Sequence, residues 1–526
     1  MKNNVYILLI STILGIGMSC KVQHKIKSFS TVKSFPNIIV ILADDLGYGD
    51  LSIYHENNKI KTANIDRLAL DGMRFTDAHT PSSVCTPTRY GLLTGRYNWR
   101  TKLKRGVLNG KSKALIPNSR STIASLLQNK GYHTAFIGKW HLGWDWALKE
   151  ETKEIKDRSN FDNFDFTKEV SNTPNDLGFT YSYGHCGSLD MAPYVYVENG
   201  KATEIPDTTT INTGKYSWWR KGPTSKDFIH EQVTPNFFKR GMQYIKEQSK
   251  KSNPFLLYLP LPSPHTPILP TKAWIGKSGL NPYGDFMLMI DDYVGQLVNT
   301  VEEAGIKENT IIIFTSDNGC SPAAKIEELI KKGHYPNSIY RGHKADIYEG
   351  GHRVPFIVKW PKEIKKGSVS EETICLTDLM ATFAEIVNYD LKENEGEDSY
   401  SLLPILKNKA FSSPLRAATV HHSINGSFAI RKGHWKLVMC PGSGGWSYPR
   451  PGRDAVALKR LPKIQLFDLS KDPKELTNLE SLEPEKVTEL KLLLSQYISE
   501  GRSTPGPPQK NDPIHFKWKQ IDFISK

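Results

Sequence analysis

The sequence predicts an α/β protein built on a doubly wound, mixed but mainly parallel sheet, followed by a smaller C-terminal α+β domain with an antiparallel sheet. The first observation is a set of continuous apolar runs, which are typical of parallel strands buried on both faces. The second is that helical patterns alternate with these runs. The third is a change near the C-terminus, where strand patterns surround a Lys432-Gly433 turn and an amphipathic helix follows.

The predicted elements follow in order from Phe35. The strands of the main sheet are expected at 37–43, 132–137, 254–261, 310–316 and 354–360. The helices are expected at 64–71, closed by Gly72; at 121–130, capped by Ser121 and closed by Gly131; at 285–304; and at 376–387. Residues 144–235 are polar and aromatic with weak periodicity, which predicts long loops that carry specificity rather than a separate domain. After a connection over 394–410, antiparallel strands are expected in 417–439 and a helix over 485–500.

The N-terminus predicts export. Lys2 precedes an apolar run over 5–18, which is short for a bilayer span but fits the hydrophobic region of a signal peptide. Gly17-Met18-Ser19-Cys20 resembles a bacterial lipobox, so we expect a signal peptide over 1–19 and lipid attachment at Cys20. Ordinary signal cleavage is the alternative. A lipid anchor would make the chain a bacterial lipoprotein of the periplasm or outer membrane.

The remaining domain boundaries follow from composition. Residues 20–34 are predicted to be a flexible tether, 35–400 the main α/β domain and 401–526 the C-terminal α+β subdomain. Besides Cys20 and Cys85, four cysteines remain, and the sequence leaves any disulfide among them undetermined: Cys186, Cys320, Cys375 and Cys440.

The net charge indicates an anionic partner. The chain carries 69 basic and 55 acidic residues, a formal charge of +14, which suits nucleic acid, anionic lipid or sulfated polysaccharide. No dense Arg/Lys block with interleaved aromatics and no recognised nucleic-acid module occurs in the sequence. Nucleic acid is therefore not an expected partner.

The run PSSVCTPTRYGLLTGRYNWR, over 81–100, places a thiol where a helix is predicted to begin. We expect Thr86 to cap this helix and Pro87 to take its first position, so that free backbone amides point towards Cys85. Arg89 adds a fixed cation with a planar fork that suits a tetrahedral oxyanion. The run therefore predicts an anion site at Cys85, with a buried structural cysteine as the alternative.

Two oxygen-rich pairs follow two of the predicted strands. Asp44 and Asp45 end the first strand, and Asp317 and Asn318 follow the strand over 310–316. In a parallel sheet such strand ends can converge on one cation. Oxygen ligands suit Ca²⁺ or Mg²⁺ rather than zinc, and an exported protein meets abundant calcium. We therefore expect Ca²⁺, with Mg²⁺ as the alternative ion and simple turns as the structural alternative.

Three further motifs place basic side chains after strands or in a Gly-rich segment. GKWHLG contains Lys139 and His141, which lie two residues apart and so on the same side of an extended chain. PHTP holds His265 between prolines, and RGHK contains Lys344 ahead of EGGHRVP. Histidine suits proton transfer because its unperturbed pKa lies near neutrality. Ordinary surface turns are the alternative interpretation of these motifs.

Together, the motifs resemble those of the type I sulfatases, the formylglycine-dependent enzymes of the alkaline-phosphatase-like superfamily. CTPTR, followed by a leucine and then TGR, is similar to the family signature, with Thr88 where serine is common. The resemblance covers residues 35–360 through five ordered motifs, so the domain over 35–400 would be the catalytic domain. It implies that Cys85 is oxidised to formylglycine by a formylglycine-generating or sulfatase-maturing enzyme.

The resemblance also implies a role for each site residue. The implied metal ligands are Asp44, Asp45, Asp317, Asn318 and the modified Cys85. The aldehyde would hydrate to a geminal diol, of which one hydroxyl attacks sulfur and the second expels sulfate, with His141 taking the proton. His265, with Lys344, would protonate the departing sugar oxygen. The implied charge-neutralising contacts to sulfate are Lys139, Lys344 and Arg89.

The substrate is predicted less specifically than the chemistry. SLDMAPYVY, over 188–196, and HHS, over 421–423, are more similar to carbohydrate sulfatases related to N-acetylgalactosamine-6-sulfatase than to simple arylsulfatases. The residues expected to read the sugar are His185, Asp190, His421 and His422, with structural roles as the alternative. We expect a sulfated oligo- or polysaccharide, either an algal glycan or a glycosaminoglycan.

Two other functions remain open from the sequence. A phosphatase or phosphonate-ester hydrolase would keep the fold and change the ester. A binding lipoprotein would capture sulfated glycans without turnover, and it would require Cys85 to remain a thiol.

Overall fold

A ten-stranded sheet forms the centre of the molecule and confirms the predicted mixed, mainly parallel architecture. The structure is a computed structural model, and it describes residue 1 and residues 35–150, 160–409 and 414–524. The strands are β1 (Asn37–Asp44), β2 (Met73–Phe75), β3 (Ala78–His79), β4 (His133–Lys139), β5 (Tyr181–His185), β6 (Val197–Glu198), β7 (Lys201–Ala202), β8 (Thr208–Asn212), β9 (Trp219–Thr224), β10 (Phe255–Pro264), β11 (Thr310–Ser316), β12 (Phe356–Lys359), β13 (Ser368–Ser370), β14 (Ile374–Cys375), β15 (Thr419–His422), β16 (Phe428–Lys432), β17 (Trp435–Val438) and β18 (Gln465–Asp468).

The helices lie between these strands along the chain. They are α1 (Ala63–Leu70), α2 (Cys85–Thr94), α3 (Ile123–Gln128), α4 (Val233–Gln248), α5 (Pro282–Glu303), α6 (Ile326–Lys331), α7 (Glu349–His352), α8 (Leu379–Ile386), α9 (Leu403–Leu406), α10 (Ala455–Lys459) and α11 (Pro484–Ser499). The predicted helices over 64–71, 285–304, 376–387 and 485–500 are confirmed with shifted ends. The predicted cap Ser121 is wrong, because the hydroxyl of Thr122 accepts the Ser125 amide and starts α3 at Ile123.

The main sheet has the order β13-β2-β12-β11-β1-β10-β4-β5-β6-β7. Its middle, β11-β1-β10-β4-β5, is parallel throughout. Alternate residues of β1 face opposite sides, with Ile38, Val40 and Leu42 in one core and Ile39 and Ile41 in the other. Burial on both faces explains why these strands are continuous apolar runs. The carboxyl ends of the five strands share one edge, which positions the site.

The prediction of long loops over 144–235 is wrong for part of this region. Strand β5 pairs in parallel with β4, and the short strands β6 and β7 extend the sheet beyond it. Strands β8 and β9 form a separate two-stranded sheet. These strands are short, and β5 is Tyr-Ser-Tyr-Gly-His rather than an aliphatic run, so the pattern of a buried strand is weak.

The predicted C-terminal antiparallel sheet is confirmed. Strands β15-β16-β17-β18 pair antiparallel, and Lys432 of β16 lies opposite Trp435 of β17 across the predicted turn. Helix α11 contributes Leu490 and Leu494 to the core under this sheet. The division into a domain over 35–400 and a subdomain over 401–526 stays a prediction.

The predicted signal peptide, the lipid site Cys20 and most of the tether lie outside the described residues. Within the part of the chain that the structure describes, no helix is both long and apolar enough to cross a membrane. The five cysteines of this part are all buried and free: Cys85, Cys186, Cys320, Cys375 and Cys440.

Candidate active site

The predicted site residues meet at the carboxyl edge of the parallel strands. Asp44 ends β1, Lys139 ends β4, His265 follows β10, and Asp317 follows β11. Asp317 and Asp44 face the same guanidinium, and Cys85 Sγ lies 3.5 Å from Asp44 Oδ1. The sequence prediction that the strand-end motifs converge is therefore confirmed by the geometry.

Helix α2 places the thiol. The helix begins at Cys85 itself, so the predictions that Thr86 caps it and that Pro87 takes its first position are wrong. The Thr86 hydroxyl instead donates to the His141 carbonyl at 2.8 Å, which ties the start of α2 to the GKWHLG motif. Cys85 is only 2% exposed, and burial, followed by the charge of Asp44, raises the pKa of its thiol. The unmodified side chain is therefore a protonated thiol.

Arg89 lies one turn into α2 and fixes two carboxylates. Its Nη2 lies 2.8 Å from Asp317 Oδ2 and 3.5 Å from Asp44 Oδ2, and its Nε donates to Asp317 Oδ2 at 3.0 Å. Its Nη1 donates to the Lys139 carbonyl at 2.8 Å. Each guanidinium nitrogen has a protein partner, so the planar fork holds the carboxylates in place instead of facing an open anion site.

The oxygen-rich pairs fit a hard cation. Asp45 Oδ2 and Asn318 Oδ1 are buried and have no hydrogen-bond partner, although Asn318 Nδ2 donates to Asp45 Oδ1 at 2.7 Å. Buried oxygens normally have partners, so unpaired ones that lie together are what a bound cation requires. The sequence-predicted ligands Asp44, Asp45, Asp317 and Asn318 therefore fit Ca²⁺ or Mg²⁺ by donor type, and Asp45 and Asn318 each keep one buried oxygen without a partner.

Lys139 and His265 lie around Ser188. Lys139 Nζ forms an ion pair with Asp44 Oδ2 and donates to Ser188 Oγ at 3.2 Å. Ser188 Oγ also lies 3.3 Å from His265 Nδ1, while His265 Nε2 lies 3.6 Å from Asp45 Oδ2. The sequence reasoning missed Ser188 itself, although it belongs to the SLDMAPYVY run, because a lone serine gives no signal.

Lys344 neutralises the second carboxylate. Its Nζ lies 2.6 Å from Asp45 Oδ1. Burial acts to lower the pKa of its ammonium, but the charges of Asp45 and Asp44 outweigh burial and raise that pKa. The next residue, Ala345, has a φ of 80°, in the region that favours glycine. Its amide donates to the Ser83 carbonyl at 2.8 Å, which fixes this strained turn against the residues that precede α2.

His141 presents an unpaired ring nitrogen. Its Nε2 lies 2.8 Å from the Leu108 carbonyl, which can only accept, so Nε2 carries the proton and Nδ1 is the basic nitrogen. Nδ1 is buried without a partner. Burial, followed by the charges of Lys139 and Arg89, lowers the pKa of the ring well below its ordinary value. His141 is therefore a neutral imidazole that can accept a proton.

Two of the predicted sugar-reading residues lie near this site. Asp190 forms an ion pair with Arg220, and its Oδ1, which has no hydrogen-bond partner, lies 4.0 Å from His265 Nδ1. His185 ends β5 and is 2% exposed, with its ring stacked on Phe237 at a centroid distance of 5.8 Å. Burial, followed by the charge of Lys139, lowers the pKa of His185 to about 3. The geometry favours a structural role for His185 and a site role for Asp190.

The other two, His421 and His422, lie in the C-terminal sheet. His421 stacks on His352 at 3.9 Å, and its ring nitrogens lie 3.0 Å from the Thr80 carbonyl and the Thr419 hydroxyl. The carbonyl of His422 accepts the Ser83 amide at 3.0 Å, while its side chain is 2% exposed. Both residues therefore pack the C-terminal sheet against the segment before α2, and the structural alternative describes them better than sugar recognition.

The sequence pattern of the Sulfatase family matches residues 36–389. The chain belongs to this family. The sulfatase is 34% identical to an N-acetylgalactosamine-6-O-sulfatase of Bacteroides thetaiotaomicron, over 87% of this chain and 92% of that protein. It is 31% identical to human arylsulfatase A, over 84% and 83% of the two chains. These relatives identify the sulfatase as a sulfuric ester hydrolase, which is the predicted enzyme class.

The comparison with solved structures agrees with the family assignment. A solved structure from work on the metabolism of multiple glycosaminoglycans by Bacteroides thetaiotaomicron superimposes with a TM-score of 0.76 and 32% identity. The alignment covers 88% of the sulfatase and 99% of that chain. Family membership favours sulfate ester hydrolysis over the phosphatase and the non-catalytic binding alternatives.

Proposed function

We propose that this sulfatase removes sulfate from sugars of a sulfated polysaccharide, using formylglycine made from Cys85 and a bound Ca²⁺. The observation that carries the proposal is the arrangement around Cys85. The thiol at the start of α2 lies beside Asp44, and atoms of Asp44, Asp45, Cys85 and His265 lie within 4.8 Å of one another. Lys139 and Lys344 each pair with one of the two aspartates. Such preorganised charge is what stabilises a developing anion.

The protein residues would divide the work as follows. Asp44, Asp45, Asp317 and Asn318 would hold the cation, which when bound would withdraw electron density from the sulfate. Formylglycine hydrate would supply the oxygen that attacks sulfur. Lys139 and Lys344 bind the sulfate oxygens, and Arg89 keeps two carboxylates oriented through its fork. His141 accepts a proton at its unpaired Nδ1, and His265 donates one to the departing sugar oxygen.

The substrate class rests on the relatives. Two of the similar proteins are an N-acetylgalactosamine-6-O-sulfatase, at 34% identity, and a solved structure linked to glycosaminoglycan metabolism, at 32% identity. The positive net charge of +14 suits such a polyanion. We therefore propose a sulfated glycosaminoglycan or a similar algal glycan as the substrate.

The deciding experiment joins mass spectrometry to a substitution. Peptide mass spectrometry of the natively expressed protein should show that the residue at position 85 has lost its sulfur. The C85A variant should fold with an unchanged melting temperature and lose turnover of 4-nitrophenyl sulfate and of sulfated oligosaccharides. Near-wild-type activity in C85A, or an unmodified thiol in active protein, would contradict the proposal.

The metal is tested separately. Dialysis against EDTA should remove most of the activity. Ca²⁺ should restore more of it than Mg²⁺, because four protein ligands suit Ca²⁺, whereas Mg²⁺ usually keeps several waters and binds only one or two carboxylates. The D317N variant should bind Ca²⁺ more weakly in isothermal titration calorimetry, while the exposed control D162N should bind as the wild type does. Full activity of metal-free protein would contradict this part of the proposal.

We also propose that the sulfatase is exported and anchored through lipid on Cys20, on the grounds of the lipobox resemblance alone. Metabolic labelling with palmitate in a bacterial host should label the wild type and leave C20A unlabelled. Cell fractionation should then find the wild type with membranes and C20A in the soluble fraction. A wild-type protein without label would contradict the anchor.

A further inference from the structure

A basic cavity lies beside the site and has no role in the mechanism above. It has a volume of about 380 Å³ and is lined by Pro322, Gly445, Trp446, Arg450, Pro451 and Arg453. No carboxylate lines it, in contrast to the catalytic centre. Trp446 is 37% exposed, and Arg450 and Arg453 are exposed as well. The lining therefore presents one aromatic face and two guanidinium groups to solvent.

The two arginines have charge available for a ligand. Among the described residues, neither guanidinium forms an ion pair or a side-chain hydrogen bond, and Arg450 uses only its backbone to bond Asp454. Most other arginines near the site are paired, as Arg89 is with Asp44 and Asp317. Unpaired guanidinium groups bind carboxylate or sulfate through parallel N–H bonds.

The cavity is fixed to the segment that carries Lys344. Asp346 accepts the amides of Trp446 at 2.8 Å and Ser447 at 3.0 Å, and Ile347 donates to the Ser443 carbonyl at 2.8 Å. Only glycine fits at 445, because a Cβ there would lie 2.3 Å from the Ala345 carbonyl oxygen.

The other wall is tied to the same segment. Pro322 follows Cys320, whose carbonyl accepts the Lys344 amide at 3.0 Å. The lining residues thus lie within a few residues of the motifs that carry the sulfate-binding lysine and the metal ligands. A chain of sugars whose sulfate reaches Lys344 would extend past this wall.

We infer that the Trp446–Arg450–Arg453 cavity is a second sugar subsite, which binds a sulfate- or carboxylate-bearing sugar next to the one being desulfated. The inference rests on the proposed function. The Trp446 ring offers an apolar face to the C–H groups of a sugar, and the two arginines recognise its anionic group. The sulfatase would then prefer anionic oligosaccharides to a single sulfated sugar.

The experiment measures binding without turnover. In the C85A background, isothermal titration calorimetry is run with tetrasaccharides from chondroitin 6-sulfate, heparin and κ-carrageenan, and with N-acetylgalactosamine 6-sulfate. The tetrasaccharide with the lowest Kd is then tested on C85A carrying R450Q/R453Q or W446A. We expect R450Q/R453Q to raise this Kd about 10- to 100-fold, since losing charge-assisted hydrogen bonds has an effect of that size. W446A should also raise this Kd, because it removes the apolar face. Either change should reduce the difference in Kd between the tetrasaccharide and the monosaccharide.

Two control variants distinguish loss of the subsite contacts from a general loss of positive charge or of side-chain packing. K250A/K251A removes two exposed positive charges after α4, near the opposite edge of the sheet, and should leave Kd within about twofold. W446F keeps an aromatic face and should retain most of the affinity. Melting temperatures identify any variant that fails to fold.

Results that would overturn the subsite differ from results that would overturn the proposed sulfatase function. Equal Kd values for R450Q/R453Q and the C85A parent, an equal loss in K250A/K251A, or no tetrasaccharide binding at all would overturn the subsite. Wild-type protein without activity on any sulfate ester would instead overturn the sulfatase mechanism, and the binding results would still decide the subsite.

Discussion

The carboxylates of Asp44 and Asp317 have pKa values shifted in opposite directions, because their neighbours differ. Burial acts to raise the pKa of Asp44, but Lys139, His265 and Arg89 outweigh it and hold that pKa well below its ordinary value. For Asp317, burial and the nearby charge of Asp44 dominate, and they raise its pKa to about 6. Opposite shifts in neighbouring carboxylates are characteristic of functional sites. A cation bound to both would favour the ionised form of each.

At this scale, His265 is predicted to act on the leaving group. H265N should lower kcat on a sulfated sugar about 10²- to 10⁴-fold, since a sugar alkoxide needs a proton as it departs. With 4-nitrophenyl sulfate the loss should be much smaller, because nitrophenolate leaves without one. Steady-state kinetics on the two substrates measures this difference. H133N, at the amino end of β4, is the control, and equal losses on both substrates in H265N would show that it does not act as the acid.

At the scale of the elements, the C-terminal end of helix α2 requires glycine at position 95. Gly95 follows the helix with a φ of 63°, and its amide donates to the Gly91 carbonyl at 2.9 Å. A Cβ at Gly95 would lie 2.7 Å from Met380 Cβ and 2.9 Å from Gly396 Cα. The helix that carries Cys85 is therefore closed by a residue that must have both a positive φ and no side chain.

This geometry predicts unequal costs for two matched substitutions. Gly305 follows α5 with a φ of 71°, but a Cβ there would meet nothing within 4 Å. G305A should lower the free energy of unfolding by about 1–2 kcal/mol, the cost of a left-handed alanine. G95A should lower the free energy of unfolding by about 1–3 kcal/mol more than G305A does, because the added methyl group would overpack the core beside it. Urea denaturation measures both values, and equal losses would show that the close contacts relax without cost.

At the scale of the whole molecule, a buried charge cluster joins the C-terminal sheet to the main one. Asp77, between β2 and β3, accepts two bonds from Arg431 of β16, at 2.7 and 2.8 Å. Arg353 and His79 lie 3.0 and 2.9 Å from the same carboxylate. Burial acts to raise the pKa of Asp77, but Arg353, Arg431 and His79 outweigh it and hold that pKa well below its usual range.

We predict that D77N loses about 3–5 kcal/mol of unfolding free energy at pH 7, because it leaves buried arginines without their anion. The folded-state pKa of Asp77 is depressed, so its contribution is fully present above about pH 4, the unfolded value, and is lost as pH falls through the folded pKa. Urea denaturation of wild type and D77N should differ equally at pH 7 and pH 5, and less at pH 3.

The exposed substitution D162N is the control for this series and should match the wild type throughout. A D77N variant as stable as the wild type at pH 7 would show that the cluster does not hold the two sheets together. A difference that grows below pH 4 would contradict the sign of the pKa shift.

The sequence by itself determined the parallel core and most of the site. Strands β1, β10 and β11 are buried on both faces, so each contains a continuous apolar run that a single sequence reveals. Because parallel strands end at one edge, the motifs after them had to converge, and Asp44, Lys139, His265 and Asp317 do. Strand β5 escaped prediction because polar and aromatic residues replace its aliphatic pattern.

Only the tertiary structure decided the contacts between distant segments. The partner of Thr86 is the His141 carbonyl, and this contact is why α2 starts at Cys85 without a threonine cap. Arg89 pairs with the carboxylates of Asp44 and Asp317. Asp346 accepts the amide of Trp446, a residue 100 positions later in the chain. Local sequence fixes strands and helices through burial and backbone preference, but pairing across the chain depends on how packed elements approach each other, which no single segment encodes.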